Sequence, residues 1–275
     1  MLFRSLGIRP TLQEWRRVEE ERILYTERAV NTSPWDVPPE ASLGELLSRL
    51  GDPIGRSAGH VFAPCVDGDI VRADFSAGPQ VPLLQGRTRH EFAFPGADEL
   101  DDLARLLEER GVRDTTRRTL LAEIGQIGGT FARSQLHNIL LFTRTLLTVG
   151  AHRREDGLAA STWQFAVDWP SQTYGLAQHC VDLPFAFDLL DAEAVDTQLG
   201  DAPPQHLADA MHGAWISFLA EGRAPWPTTA DSATGAQVFA DESRYQADRY
   251  SADAELIALA ATQPPAGPVT ERPRR

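Results

Sequence analysis

Val81-Pro82-Leu83-Leu84-Gln85-Gly86 and Thr162-Trp163-Gln164-Phe165-Ala166-Val167-Asp168 are the stretches that decide the fold class. The first is a short apolar run ended by glycine, and the second is rich in β-branched and aromatic residues, as a strand needs. Helical patterns lie between them. Asp98 to Arg110 is rich in leucine and charge and is closed by Gly111, and the longer Thr116 to Thr148 is expected to break near Gly125 to Gly129. Further on, Pro203 to Glu221 places Leu207, Met211, Ala214, Trp215, Phe218 and Leu219 on one apolar stripe and stops at Gly222 and Pro225. A last short strand is expected at Gln237 to Phe239. Strands separated by helices argue for an open α/β architecture, a mostly parallel sheet covered on its faces. That pattern alone names no function.

Working outward, Leu12 to Arg28 reads as a solvated helix with apolar residues at Trp15, Val18, Ile23 and Leu24, ended by the proline-rich break Ser33 to Pro39. Ala41 to Leu50 reads as a short helix with Leu43, Leu46, Leu47 and Leu50 on its apolar side. From Thr262 onward proline and glycine dominate, which predicts a disordered tail over 262–275 after a single domain over 1–261.

With 275 residues, 42% of them hydrophobic, the chain is long enough for a substantial core. Its 26 basic residues against 39 acidic ones give a net charge of −13, and every basic residue is arginine. Without lysine there is no Schiff base, no pyridoxal phosphate anchor, no phosphate-loop lysine and no Ser-Lys dyad. The negative charge repels a phosphate backbone, and the arginines are scattered except for Arg272, Arg274 and Arg275, so nucleic acid is not an expected partner. No stretch approaches about 18 uninterrupted apolar residues, and Met1 to Arg17 lacks the pattern of an export signal, so the chain as given is expected to be cytoplasmic, without a membrane partner. Cys65 and Cys180 lie far apart, with no C-x-x-C pair and no histidine cluster of ligand spacing, so neither a disulfide framework nor a metal site is expected, and no cofactor.

Gly55-Arg56-Ser57-Ala58-Gly59 satisfies the G-x-S-x-G pattern of a nucleophile elbow. An elbow needs a strand entering the serine and a helix leaving it; here a helical pattern precedes and an extended one follows, so an ordinary loop is expected. A stronger signal is a pair of segments. Gly86-Arg87-Thr88-Arg89-His90-Glu91-Phe92 places the Glu91 carboxylate just beyond a strand terminus, where open α/β sheets put catalytic groups. Later comes Gly175-Leu176-Ala177-Gln178-His179-Cys180-Val181-Asp182-Leu183-Pro184-Phe185-Ala186-Phe187-Asp188. Their order suits an acid followed by a histidine, although an isolated glutamate is usually solvated and an isolated histidine usually a satisfied core group. His212 and Trp215 are expected to pack inward, and Trp163 and Trp169 to serve the core.

These segments resemble the type-B carboxylesterases, the group of the para-nitrobenzyl esterases and cholinesterase-like proteins. Thr88-Arg89-His90-Glu91 is similar to the segment that supplies that family's triad carboxylate, with His90 where the family has aspartate. His179 through Phe187 is similar to its H-x-x-(D/E)-L-P-(F/Y)-x-F segment, which supplies the triad base. Leu207 to Phe218, Gly222 and Trp226-Pro227 look like its C-terminal helix and ending, and the resemblance runs from about Arg4 to Tyr245. It implies the C-terminal half of an α/β-hydrolase fold with an incomplete sheet, and a fragment of a carboxylic ester hydrolase carrying Glu91 and His179, the acid and base of a Ser-His-Glu triad.

The family's nucleophile elbow and glycine-rich oxyanion segment lie upstream of the acid by more than the residues preceding Glu91, so both are expected to come from elsewhere. The expected partners are a small carboxylic ester in the complete enzyme, and a complementing N-terminal half or a second copy covering an open strand edge. An export signal would belong to that missing region. The alternatives are a non-catalytic cholinesterase-like binding module, and a rearranged site in which Ser57 itself is the nucleophile.

Overall fold

The computed structural model describes residues 6–9, 11–30, 41–50 and 80–261. They fall into two compact units, one holding the described residues up to Leu50 and the other holding 80–261. Ser57, His60, Cys65 and the tail expected from Thr262 lie outside the described residues.

In the first unit the single helix expected over 12–28 is two, α1 (Leu12–Trp15) and α2 (Glu20–Val30). Thr11 caps α1 by accepting the Glu14 N–H on its hydroxyl at 3.3 Å. Arg17 and Val18 then donate three residues back, to Glu14 and Trp15, the tightening that closes a helix. In α3 (Leu43–Leu50) the Ser42 hydroxyl accepts the Glu45 N–H at 3.2 Å, and Leu43, Leu46 and Leu47 are buried.

The second unit runs β1 (Leu83–Thr88), α4 (Leu100–Glu109), α5 (Asp114–Ile127), α6 (Ala132–Asn138), α7 (Arg144–Glu155), β2 (Thr162–Val167), α8 (Leu183–Ala186), α9 (Val195–Leu199), α10 (Gln205–Glu221), β3 (Ala236–Phe239), β4 (Arg244–Gln246) and α11 (Ser251–Ala261). The described sheet is open, in the order β1-β2-β3-β4; the first three strands are parallel and β4 is antiparallel to β3. All six residues of β2 are buried. Trp163, Phe165 and Val167 face a core shared with Phe185 of α8 and with Leu207, Met211 and Ala214 of α10. Ala166 faces the opposite layer with Leu146 of α7, Val238 and Tyr250. Trp169 is buried in the first of these cores, and the Trp163 indole N–H donates to the Trp226 carbonyl at 3.0 Å.

Several boundaries differ from the sequence reading, each for a local reason. Strand β1 begins at Leu83, beyond the exposed Val81 and the N–H-less Pro82, and runs on to Thr88. Gly86, read as its end, lies inside it opposite Phe165, because a Cβ there would sit 2.4 Å from the Phe165 ring. The long helical pattern breaks at Gly128, whose φ of +108° is open to glycine, and then passes through a 3-10 turn, α6 and a π-helical turn at Ile139–Thr143 before α7 carries it to Glu155. On α10 the buried stripe is Leu207, Met211 and Ala214; Leu219 is 78% exposed, because one residue beyond Phe218 turns it about 100° from the stripe.

Candidate active site

Beyond β1 the chain continues the sheet's hydrogen bonding into the site. Arg89 N–H donates to the Val167 carbonyl at 2.9 Å, His90 N–H to Ala177 at 2.9 Å, and His179 N–H to Glu91 at 2.9 Å. The acid-bearing and histidine-bearing loops are therefore bonded backbone to backbone at Glu91 and His179 and just before them. Glu91 is buried; its Oε1 accepts the Thr88 N–H at 2.9 Å, and its Oε2 lies 2.6 Å from His179 Nδ1.

That pairing sets the chemistry of the imidazole. A carboxylate only accepts, so Nδ1 carries the proton and Nε2 is left as the basic lone pair. The His179 side chain is 50% exposed, and Nε2 makes no hydrogen bond among the described residues. Cys180, in the left-handed region at φ 67°, turns the chain out of the loop directly after His179. One face of the imidazole meets the Phe92 ring at 4.7 Å, and Phe92 in turn packs on Phe94 and Phe142. Phe94, stacked on Phe92, is exposed, so an apolar surface continues from the imidazole to solvent.

Beneath the acid loop lies a buried frame of charge. Arg87 Nη1 donates to the carbonyls of Thr88 and Arg89 at 3.0 and 2.9 Å, while Nη2 pairs with Asp253 of α11 at 3.2 Å. Thr143, in the π-helical turn, also donates to that Asp253 oxygen, at 3.0 Å. Arg249 pairs with Asp168, and both Arg87 and Arg249 approach the Tyr250 ring. Burial pushes Tyr250 up to about 12, so its hydroxyl stays protonated and donates to the Phe165 carbonyl.

Burial, followed by the charges of Asp182 and Glu91, raises the Cys180 thiol; burial and then Glu91 raise Asp182. Cys180 is a free thiol, and no group of three His, Cys, Asp or Glu among the described residues is placed to hold a metal ion.

The structure thus brings Glu91 and His179 together, while Ser57 lies outside the described residues. His212 is held by the Ala186 carbonyl at 2.9 Å, between α10 and α8. Sequence reasoning missed the supports. Asn138, fully buried, accepts the Phe92 N–H at 3.2 Å, and no pattern in the chain marks that contact. Asp253 left no trace either, since an acidic residue in the first turn of a helix is ordinary and Glu255 lies two residues on.

No family model matches the chain. Among solved structures it is similar to a PNB esterase at 18% identity, with a TM-score of 0.58 over 93% of this chain and 52% of the other. A carboxylesterase of Geobacillus stearothermophilus matches at 20% identity and TM-score 0.57, with the same two coverages. An esterase from Clostridium hathewayi, described as hydrolysing aliphatic aromatic polyesters, matches at 18% and 0.52, over 94% of this chain and 51% of that one. The chain has the α/β-hydrolase fold of these esterases, an open mixed sheet flanked by helices, and it spans about half of their length.

Proposed function

We propose that the chain is the acid-and-base half of a serine carboxylic ester hydrolase of the type-B kind, with Glu91 and His179 as two members of a Ser-His-Glu triad. The observation that carries this reading is the His179 Nδ1 to Glu91 Oε2 contact of 2.6 Å, made by a buried carboxylate and a half-exposed imidazole. His179 Nε2 takes the proton of a serine hydroxyl as that oxygen attacks the ester carbonyl, then returns it to the departing alcohol. Glu91 holds the tautomer and stabilises the imidazolium. The serine and the backbone donors for the oxyanion come from a partner half, which also covers the open side of β1. The aromatic surface of Phe92 and Phe94 beside His179 suits an ester with a hydrophobic acyl or alcohol group.

The test is complementation. The chain is co-expressed with the N-terminal half of a PNB esterase and assayed with a p-nitrophenyl ester and a fluorophosphonate label. The chain alone is expected to stay unlabelled, and the complex to hydrolyse the ester with a kcat that falls about 10³-fold or more in His179→Ala. A complex that co-purifies without hydrolysis overturns the reading. Labelling at Ser57 in the chain alone replaces it with a compact esterase.

A further inference from the structure

Resting on that reading, we infer that His90 is a positioning residue of the dyad, a hydrogen-bonded rivet that fixes the acid loop to the histidine loop and so sets the Glu91–His179 distance. Two bonds join His90 to one residue of the opposite loop. Its backbone N–H donates to the Ala177 carbonyl at 2.9 Å, and its ring Nδ1 accepts the Ala177 N–H at 3.0 Å. Ala177 lies two residues before His179 and His90 one residue before Glu91, so each end of the rivet adjoins a proposed catalytic group. The next rung is the bond from His179 N–H to the Glu91 carbonyl. Any sliding of one loop along the other must break the His90–Ala177 pair, and the 2.6 Å side-chain contact changes with it.

Only a neutral ring with its proton on Nε2 can make this bond, because Nδ1 must accept. The surroundings impose that state. His90 is 5% exposed, and burial, then the charge of Arg89, with Arg87 and Arg249 adding to it against Asp168, lowers its pKa to about 3. The acceptor is therefore intact at neutral pH. The adjoining Thr88 and Arg89 carbonyls are held by Arg87, so the loop is fixed to the sheet on one side and to the histidine loop on the other. His90, buried between the loops, acts through Glu91 and His179.

The chemistry of the acceptor supplies the test. Asparagine puts Oδ1 close to where Nδ1 sits, whereas glutamine, which is nearly the same size and also polar, carries its acceptor one atom too far. The full chain is prepared as wild type, His90→Asn, His90→Gln and Glu91→Gln. Two signals are read by NMR: hydrogen exchange at the Ala177 amide, and the far-downfield Nδ1–H resonance of His179, assigned by its loss in His179→Ala. His90→Asn is expected to keep both. His90→Gln is expected to exchange Ala177 about tenfold faster, as for loss of one net hydrogen bond, and to lose or shift the His179 resonance.

A His90→Gln chain with both signals unchanged overturns the inference, as does a His90→Asn chain that loses both although its circular dichroism is native. A wild-type chain without the His179 resonance, unaffected by Glu91→Gln, overturns the dyad and the positioning role together. The expected Asn and Gln contrast in a chain that fails complementation upholds the positioning role and overturns the esterase reading alone.

Discussion

His179 and Glu91 are joined twice, through the 2.6 Å side-chain contact and through the His179 N–H donating to the Glu91 carbonyl at 2.9 Å. The backbone bond fixes the spacing of the two residues, and the carboxylate fixes the tautomer, so the two roles are separable by mutation. Glu91→Gln is expected to leave the loops paired and the circular dichroism native, while the complemented enzyme loses about 10³- to 10⁴-fold in kcat through the wrong imidazole tautomer. A kcat within tenfold of wild type in that variant sinks the role given to Glu91.

The buried His90 predicts a pH dependence of stability. Its folded pKa, about 3, lies below the 6.5 of an unperturbed histidine, so the unfolded chain takes up a proton that the folded chain refuses. The contribution is fully present above pH 6.5 and is lost as the pH falls toward 3, the loss reaching at most about 5 kcal/mol at 1.36 kcal/mol per unit. His137, lowered by its burial, adds in the same direction. Glu123 and Asp182, raised by burial, act oppositely and temper the loss in the carboxylate range. Urea midpoints at pH 7.5 and 5 should therefore differ, and differ less in His90→Asn; equal slopes for the two chains would remove His90 from the account.

Arg87 and Asp253 are each nearly buried, with side chains 6% and 5% exposed, and they tie the end of β1 to α11. Asp253→Ala leaves the Arg87 guanidinium buried against two carbonyls with no counter-charge, which is expected to cost about 3 to 5 kcal/mol. The paired replacement Arg87→Met with Asp253→Leu removes both charges and should recover most of that loss. Denaturation of the wild type, Arg87→Met alone, Asp253→Leu alone and the double variant measures the coupling; additive losses would show that the pair does not act as a unit.

How far the sequence foretold this structure depends on whether the deciding contact is local. Strand β2 was legible because burial on both faces goes with a run rich in β-branched and aromatic residues, Thr162 to Val167. The Glu91 and His179 segments were legible because each carries its own short motif. By contrast β4, only Arg244–Gln246, exists through its pairing with β3 and has no pattern of its own. The Asn138 support of Phe92 depends on where the π-helical turn begins, and Leu219 was misplaced because a helical stripe read as one face included a residue just past its edge. The His90–Ala177 rivet needed both loops in space before the ring nitrogen could be seen to accept.

Gly86 shows the same limit at a single position and gives the most direct test of the packing beneath the site. Glycine in a strand interior weakens it, so its place in the middle of β1 needs a reason, and Phe165 on the paired strand supplies one. The ring lies across the Gly86 backbone, with its atoms 2.4 to 2.5 Å from where a Cβ would stand, closer than any real contact. The same ring packs edge-on against Trp215 of α10 at 4.8 Å and against Phe239 at 6.3 Å, so it has no free direction in which to retreat. Gly86→Ala is therefore expected to destabilise by about 1 to 3 kcal/mol through overpacking. Phe165→Leu alone loses ring contacts, but in the double variant it makes room for the new methyl, so the double should be more stable than the sum of the two single losses implies. The check is the shift in denaturation midpoint across the four chains; strict additivity, or an alanine at 86 that costs nothing, would mean that the ring and the glycine backbone are not in contact.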